Sequence, residues 1–168
     1  SITKIILKDE NATATSINIF VGSNQEKISA QTKMYHQANQ TSGNMLCRGV
    51  LLNNASANFQ GEISIPKNLN NVESHQNMKC LTMCDDAKCD ALPILDVQSD
   101  SVICSHGAAV GRIEDEPLHY LQSRGISEKK AMNMILMGFL MQELSTLPEE
   151  IKSKIEKNIK QKLVNANA

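Results

Sequence analysis

The sequence is poor in aromatic residues and has no long apolar run. Aromatic side chains make up 3% of the 168 residues and tryptophan is absent, so a core must rest on aliphatic residues and methionine. No run approaches the roughly 18 consecutive apolar residues of a membrane-spanning helix, so we expect no membrane partner. Lysine and arginine number 17 against 18 acidic residues, and this balance argues against nucleic acid as a partner.

The N-terminal stretch lacks the pattern of a secretory signal, because Lys4, Lys8, Asp9 and Glu10 interrupt it. Without such a signal, five cysteines do not predict a disulfide framework. We therefore expect a reducing compartment, either cytoplasm or, in an organism with plastids, the plastid stroma.

Residues 1–112 are typical of an all-β domain, because short apolar or alternating runs are separated by small polar clusters. The runs are 2–7, 16–21, 44–52, 57–65, 78–83, 92–97 and 101–110. Asparagine supplies 12 of the first 100 residues. It tolerates left-handed turns and forms ladders between stacked strands, which suits a coiled parallel sheet, although codon bias is an alternative explanation. Exact internal repeats are absent.

Residues 113–168 are predicted to be helical. A first helix is expected over Glu116–Gln122 and a second over Ser127–Leu144, with Ser127 as its N-cap. Apolar residues cover most of the circumference of the second helix, which predicts burial on more than one side.

A third helix is expected from the segment "TLPEE". Thr146 is predicted as its N-cap, with Pro148 in the first turn and Glu149 completing a capping box. Apolar residues spaced four apart from Ile151 to Leu163 predict a narrow buried stripe.

Cys104 and His106 are the first candidates for chemistry. In a strand, residues two apart point to the same face, so their thiol and imidazole can bind a soft or borderline metal together. Two ligands do not complete a tetrahedral site, so either the site is weak or another chain supplies the rest. A buried cysteine beside a hydrogen-bonded histidine is the alternative.

The remaining cysteines carry a weaker signal. Cys80, Cys84 and Cys89 lack zinc-finger spacing, which favours one or two core-facing strand thiols and one exposed thiol in a turn, with metal ligation as the less favoured alternative. Cys47 is predicted to be an ordinary strand residue.

An enzyme is not expected. A Ser-His-Asp order, a phosphate-binding loop and a zinc-protease motif are all absent from the sequence. Polysaccharide cleavage would need converging carboxylates, and the acids of the β half are scattered.

One stretch of the sequence resembles a known protein family: it is "CSHGAAVGRIEDEPLHYLQSRGISEKKAMNMILMGFL", Cys104 to Leu140. It is similar to the signature region of the SufB/SufD family of scaffold proteins for iron–sulfur cluster assembly. Within that family, the Cys-Ser-His-Gly run resembles the SufD branch. Upstream, "CRGVLLNNASANFQGEISI" and "SHQNMKCL" also resemble family strands.

The resemblance implies a right-handed parallel β-helix over 1–112 and a small helical region over 113–168. It implies a SufB-like partner bound through the β-helix, and an ABC-type ATPase similar to SufC bound by the helices. A homodimer of this chain is a further expected partner, because a short β-helix leaves an open turn at its end. The residues expected to dock the ATPase are Leu118, Tyr120, Leu121, Arg124, Met134, Met137 and Phe139.

For Cys104 and His106, the resemblance implies a role at the interface with the SufB-like subunit, where a nascent cluster forms. The incomplete ligand pair would then be completed by the partner. We expect a transient iron–sulfur cluster at that interface and none on this chain by itself. The alternative is a purely structural protein that holds its partners and binds no metal.

Overall fold

The computed structural model describes residues 1–166, which form two parallel sheets followed by helices. The eight strands are β1 (Ile2–Leu7), β2 (Thr13–Gly22), β3 (Lys27–His36), β4 (Ser42–Leu51), β5 (Ser56–Ile65), β6 (Asn70–Thr82), β7 (Lys88–Val97) and β8 (Ser101–Gly111). One sheet has the order β1-β3-β5-β7 and the other β2-β4-β6-β8, with every pairing parallel. Because the chain alternates between the sheets, it winds as a β-helix of four turns, and the predicted fold class is confirmed.

Asparagines at the corners let the turns stack. Five of the six non-glycine residues with a positive φ are asparagines, which adopt left-handed backbone more readily than other side chains. The corners also bond to one another, since Asn53 Oδ1 accepts the backbone N–H of Asn24 at 3.2 Å. Asparagines therefore adopt left-handed turns at the corners, as predicted. Successive strands of one sheet are offset by 29 and 31 residues.

The interior between the sheets holds aliphatic and methionine side chains together with a few polar groups. Met34, Ile63 and Ile65 are fully buried and form part of one core cluster. Thr32 and His36 point into the same interior and are equally buried. These inward polar residues explain why β3 shows no apolar run in the sequence, whereas each of the other seven strands contains one.

Helices follow the last strand and cover part of one sheet. They are α1 (Asp115–Ser123), α2 (Glu128–Met141), a 3₁₀ turn (Gln142–Leu144) and α3 (Glu149–Ala166). Leu136 and Leu140 of α2 pack with Ile159 and Leu163 of α3 against Val50, on the outer face of the second sheet. Ser127 occupies the N-cap of α2 as predicted, although its side chain makes no capping hydrogen bond.

The predicted capping box of the third helix is wrong. Helix α3 begins at Glu149, and the carbonyl of Pro148 accepts the backbone N–H groups of Ile151 and Lys152 at 3.0 and 3.1 Å. The N–H of Leu147 bonds back to Leu144, which keeps the residues before Pro148 in the preceding turn. Thr146 therefore lies outside the helix that it was expected to cap.

A buried ion pair joins the helices to the sheet. Arg48 lies on β4 with its side chain 3% exposed and pairs with Glu143 of the 3₁₀ turn. The Arg48 guanidinium also donates to the carbonyl of Cys47 at 3.0 Å and to Asn77 Oδ1 at 2.9 Å. Its charged end lies 5.9 Å from the ring centre of Phe139. Arginine suits such a site because its five donors satisfy several partners at once.

Within residues 1–166, none of the helices combines the length and the apolar content needed to cross a lipid bilayer.

Candidate metal or cluster site at the last turn

Strand β8 forms the outer edge of its sheet and carries both candidate ligands on one face. Cys104 lies beside Ser74 and His106 beside Gln76 in the parallel register. Ser74 and Gln76 are both buried, so the shared face is the one that points into the β-helix. The two Cα atoms are about 7 Å apart along an extended strand. The sequence-based prediction that the thiol and the imidazole share a face is confirmed.

The two ligands differ in exposure. Cys104 is half-buried and packs against the core cluster that contains Met34, Ile63 and Ile65. This burial raises the pKa of the Cys104 thiol, and a hydrogen bond from the Ser74 backbone opposes the rise. His106 is exposed at the end of the β-helix, where no further turn within residues 1–166 covers it. The pair is therefore accessible from the open end of the interior.

Gln76 lies directly beneath His106 and was missed by the sequence analysis. It is 2% exposed, and neither its amide oxygen nor its amide nitrogen has a hydrogen-bond partner among the described residues. The absent side chain of Gly61 gives it room, since a Cβ there would lie 2.5 Å from Gln76 Oε1. Gln76 precedes His106 by 30 residues, but the offset between the other stacked strands of this sheet is 29 or 31, so turn length alone did not identify this neighbour.

His36 lies beneath the Cys104 side of the site. Its ring nitrogens lie 2.8 Å from Thr41 Oγ1 and 3.0 Å from Ser74 Oγ. Burial lowers the pKa of the His36 imidazole, which favours its neutral form. A neutral imidazole can donate to one hydroxyl and accept from the other, so the ring satisfies both neighbours.

The described residues contain no group of three or more histidine, cysteine, aspartate or glutamate side chains placed to hold one metal ion. Cys104 and His106 thus remain a pair. On the outer face of the sheet, His75 contacts Ser105 Oγ at 2.7 Å and Glu73 Oε1 at 3.0 Å. The Ser105 side chain therefore lies on the face opposite to Cys104 and His106.

The remaining cysteines lie as the favoured interpretation of their spacing predicts. Cys47 and Cys80 are buried, Cys89 is half-buried, and Cys84 is exposed in the connection between β6 and β7. Both Cys80 and Cys89 point inward, since they lie beside the buried Gly49 and Ala57.

The residues expected to dock an ATPase fall into two groups. Tyr120, Arg124 and Met134 are exposed, and the Arg124 guanidinium lies 5.3 Å from the Tyr120 ring centre. Met137 and Phe139 are partly buried and pack against the cluster that joins the helices to the sheet. Leu118 and Leu121 are half-exposed on α1, a helix without a buried residue.

A groove of about 650 Å³ runs between α2 and α3 beside this surface. Methionine and lysine side chains line much of it, including Met134, Met137, Lys130 and Lys160. Flexible methionine side chains adapt to a partner surface, so this face of the helices suits protein contacts.

Comparison with known proteins assigns this architecture to a family. Residues 1–139 match the family described as "SUF system FeS cluster assembly, SufBD core domain". The iron–sulfur cluster assembly protein SufD of Bacillus subtilis is 31% identical over 147 residues, covering 84% of this chain and 34% of that protein. SufB of the same bacterium is 28% identical over 155 residues, covering 92% and 33%.

A SufBD family protein of Staphylococcus epidermidis is likewise 28% identical over 155 residues, covering 92% of this chain and 33% of that protein. The chain therefore spans about a third of the length of the curated relatives that it matches. The matched region contains the whole β-helix, α1 and most of α2. By its sequence and by its fold, the chain belongs to the SufB/SufD family.

Proposed function

We propose that this chain is part of a non-catalytic, SufD-like scaffold subunit for iron–sulfur cluster assembly. In this role it pairs with a SufB-like subunit and docks a SufC-like ATPase. The family match and the names of the relatives support a role in iron–sulfur cluster assembly. The Cys-Ser-His-Gly run at Cys104–Gly107 favours the SufD branch, and cytoplasm is the proposed location.

One observation carries the proposal: an incomplete ligand pair lies at the open end of the β-helix. Cys104 and His106 share the inward face of an edge strand, so a partner that covers this end would lie against both. Thiolate and imidazole are both established ligands of iron–sulfur clusters. A cluster assembled there is cargo rather than a resident cofactor, and a ligand set divided between two chains suits its release.

The edges of β7 and β8 support pairing with another β-helix. An unpaired strand edge exposes backbone donors and acceptors to a strand from another chain. Exposed apolar side chains near this edge add contact surface, namely Leu92, Ile103 and Val110. We propose that the SufB-like subunit continues the two sheets here.

The ATPase is proposed to dock on the exposed side of α1 and α2. Tyr120, Arg124 and Met134 offer aromatic, cationic and flexible apolar contacts on that surface. Helix α1 has no buried residue, so a partner could bind it without disturbing the core.

The test is anaerobic reconstitution of the complex with its SufB-like and SufC-like partners, iron and sulfide. We expect His106→Ala combined with Cys104→Ala to lower the cluster yield, measured from visible absorption and from acid-labile sulfide. The matched control is Ser105→Ala, which alters the residue between the two ligands but on the outer face of the strand. An unchanged yield in the double variant, with an intact complex, would show that the site is assigned wrongly.

A second candidate function is a structural subunit that binds no metal. It is favoured by the lack of a third ligand among the described residues and by the burial of Cys104, which disfavours its thiolate. In that case the double variant would assemble normally, support ATPase activity and yield as much cluster as the unaltered chain.

A further inference from the structure

Two cysteines meet inside the β-helix near the corner between β6 and β7, and the proposed function uses neither. Cys80 is 4% exposed and belongs to a core cluster against which Cys89 also packs. Cys80 lies near the end of β6 and Cys89 is the second residue of β7, so they belong to opposite walls of the β-helix. Both side chains point inward and face each other across the corner.

The two cysteines stack on small residues of the preceding turn. Gly49 lies beside Cys80 in the preceding turn, and Ala57 lies beside Cys89. The ring of Phe20 fills the volume that Gly49 leaves, with its Cζ 2.1 Å from where a Cβ would be. Cys89 packs against the core cluster that contains Cys80, so the two thiols lie in the same corner of the interior.

The two thiols differ in acidity. The Cys80 thiol donates to the Cys89 sulfur, and this bond together with burial raises the pKa of Cys80. The same bond lowers the pKa of Cys89. By contrast, burial raises the pKa of the nearby Cys47 to about 12. Among these three cysteines, Cys89 therefore has the largest fraction of thiolate, which is the nucleophilic form.

We propose that Cys80 and Cys89 form a redox-active dithiol that hydrogen peroxide converts to an intramolecular disulfide. The convergence of two inward-facing cysteines from opposite walls on one core cluster carries this inference, which is independent of the proposed role in cluster assembly. A disulfide between these residues would join the end of β6 to the start of β7, and so fix the first residues of an edge strand.

The reaction has two steps. The Cys89 thiolate attacks one oxygen of the peroxide, the O–O bond breaks, and the departing hydroxide takes a proton to become water. Cys89 is then a sulfenic acid. The sulfur of Cys80 attacks that of Cys89, and the Cys80 proton leaves with the sulfenic hydroxyl as a second water. Two thiols are oxidised and one peroxide is reduced.

The experiment treats the reduced chain with stoichiometric peroxide, alkylates the remaining thiols and digests with trypsin. Cleavage at the lysines and arginines separates Cys80 from Cys89, into peptides 80–88 and 89–112. We expect these two peptides to be joined, with a loss of two hydrogen atoms. Without peroxide, we expect iodoacetamide to modify Cys89 at least about tenfold faster than Cys47.

Because each peptide contains a second cysteine, the assignment uses a Cys84→Ser/Cys104→Ser background. Peptides joined in this background can be linked only through Cys80 and Cys89. Adding Cys80→Ala should remove the link and leave Cys89 as a sulfenic acid that dimedone traps. Adding Cys47→Ala is the matched control for loss of a buried thiol, and it should keep the link.

Circular dichroism of each variant establishes that it is folded before oxidation. The proposal is overturned if folded background protein gives no joined peptide, or if peroxide oxidises only Cys84 in the unaltered chain. Failure of dimedone to trap a sulfenic acid at Cys89 in the folded Cys80→Ala variant would also overturn it.

Discussion

The buried imidazole of His36 makes the stability of the fold depend on pH. Its imidazole is buried and neutral between two hydroxyls, and burial lowers its pKa below the ordinary value of 6.5. In the unfolded chain the ring takes up a proton near that ordinary value. Between the two pKa values, the unfolded state therefore binds more protons than the folded state.

We therefore expect the free energy of unfolding to fall as the pH drops below about 6.5, and to be insensitive to His36 above that pH. Urea denaturation between about pH 7.5 and about pH 5.5 measures this dependence. His36→Gln should flatten the dependence, whereas His119→Gln, which alters an exposed histidine of α1, should preserve it. An unchanged dependence in His36→Gln would show that another group titrates.

The residues of the site were predictable to different extents. Cys104 and His106 could be paired from the sequence, because the alternation of side chains along a strand is a local property. Gln76 and His36 could not be placed, because their neighbours lie one or more turns away. The register between turns depends on corner geometry, and without exact repeats the sequence does not specify it.

Among the strands and helices, features set by neighbouring residues were likewise predictable, and contacts between distant residues were not. Seven strands contain an apolar run, while β3 places threonine and histidine in the interior and so lacks one. The helices were predictable from caps and periodicity, with an error at Thr146 because a 3₁₀ turn extends the preceding helix. Nothing in the segment around Arg48 indicated its partner, because Glu143 lies 95 residues away.

The pair of Arg48 and Glu143 should hold the helices against the sheet. Arg48→Met leaves Glu143 without its cation in a mostly buried position, and we expect a loss of about 3 kcal/mol in the free energy of unfolding. Arg48→Met combined with Glu143→Leu should recover much of this loss, because no unpaired charge then remains. Urea denaturation measures both effects.

Hydrogen exchange in α2 gives a second measurement, since loosened helices lose protection before the β-helix unfolds. Lys154→Gln is the matched control, because it removes an exposed ion pair with Glu150 at 2.8 Å within α3 and should change little. If Arg48→Met were as harmless as this control, packing alone would hold the helices.

At the scale of the whole molecule, the four turns form a stack with β1 and β2 at one end and β7 and β8 at the other. The helices pack on the outer face of the second sheet, near Val50, and leave the edges of β7 and β8 unpaired within residues 1–166. Unpaired, apolar strand edges favour association with another chain. The same edge should therefore serve a SufB-like partner when present and a second copy of this chain when that partner is absent.

This expectation can be tested by altering one end at a time. Ile103 on β8 is 66% exposed, and Ile2 on β1, at the opposite end, is 78% exposed. We expect Ile103→Lys to weaken self-association by at least about tenfold, because a charge replaces an apolar contact at the edge. Ile2→Lys should leave it unchanged. Sedimentation velocity over a concentration series measures both, and the SufB-like partner should compete with self-association of the unaltered chain. The reverse pattern, with Ile2→Lys as the disruptive change, would place the interface at the β1 end and remove the support that the β8 edge gives to a shared cluster site.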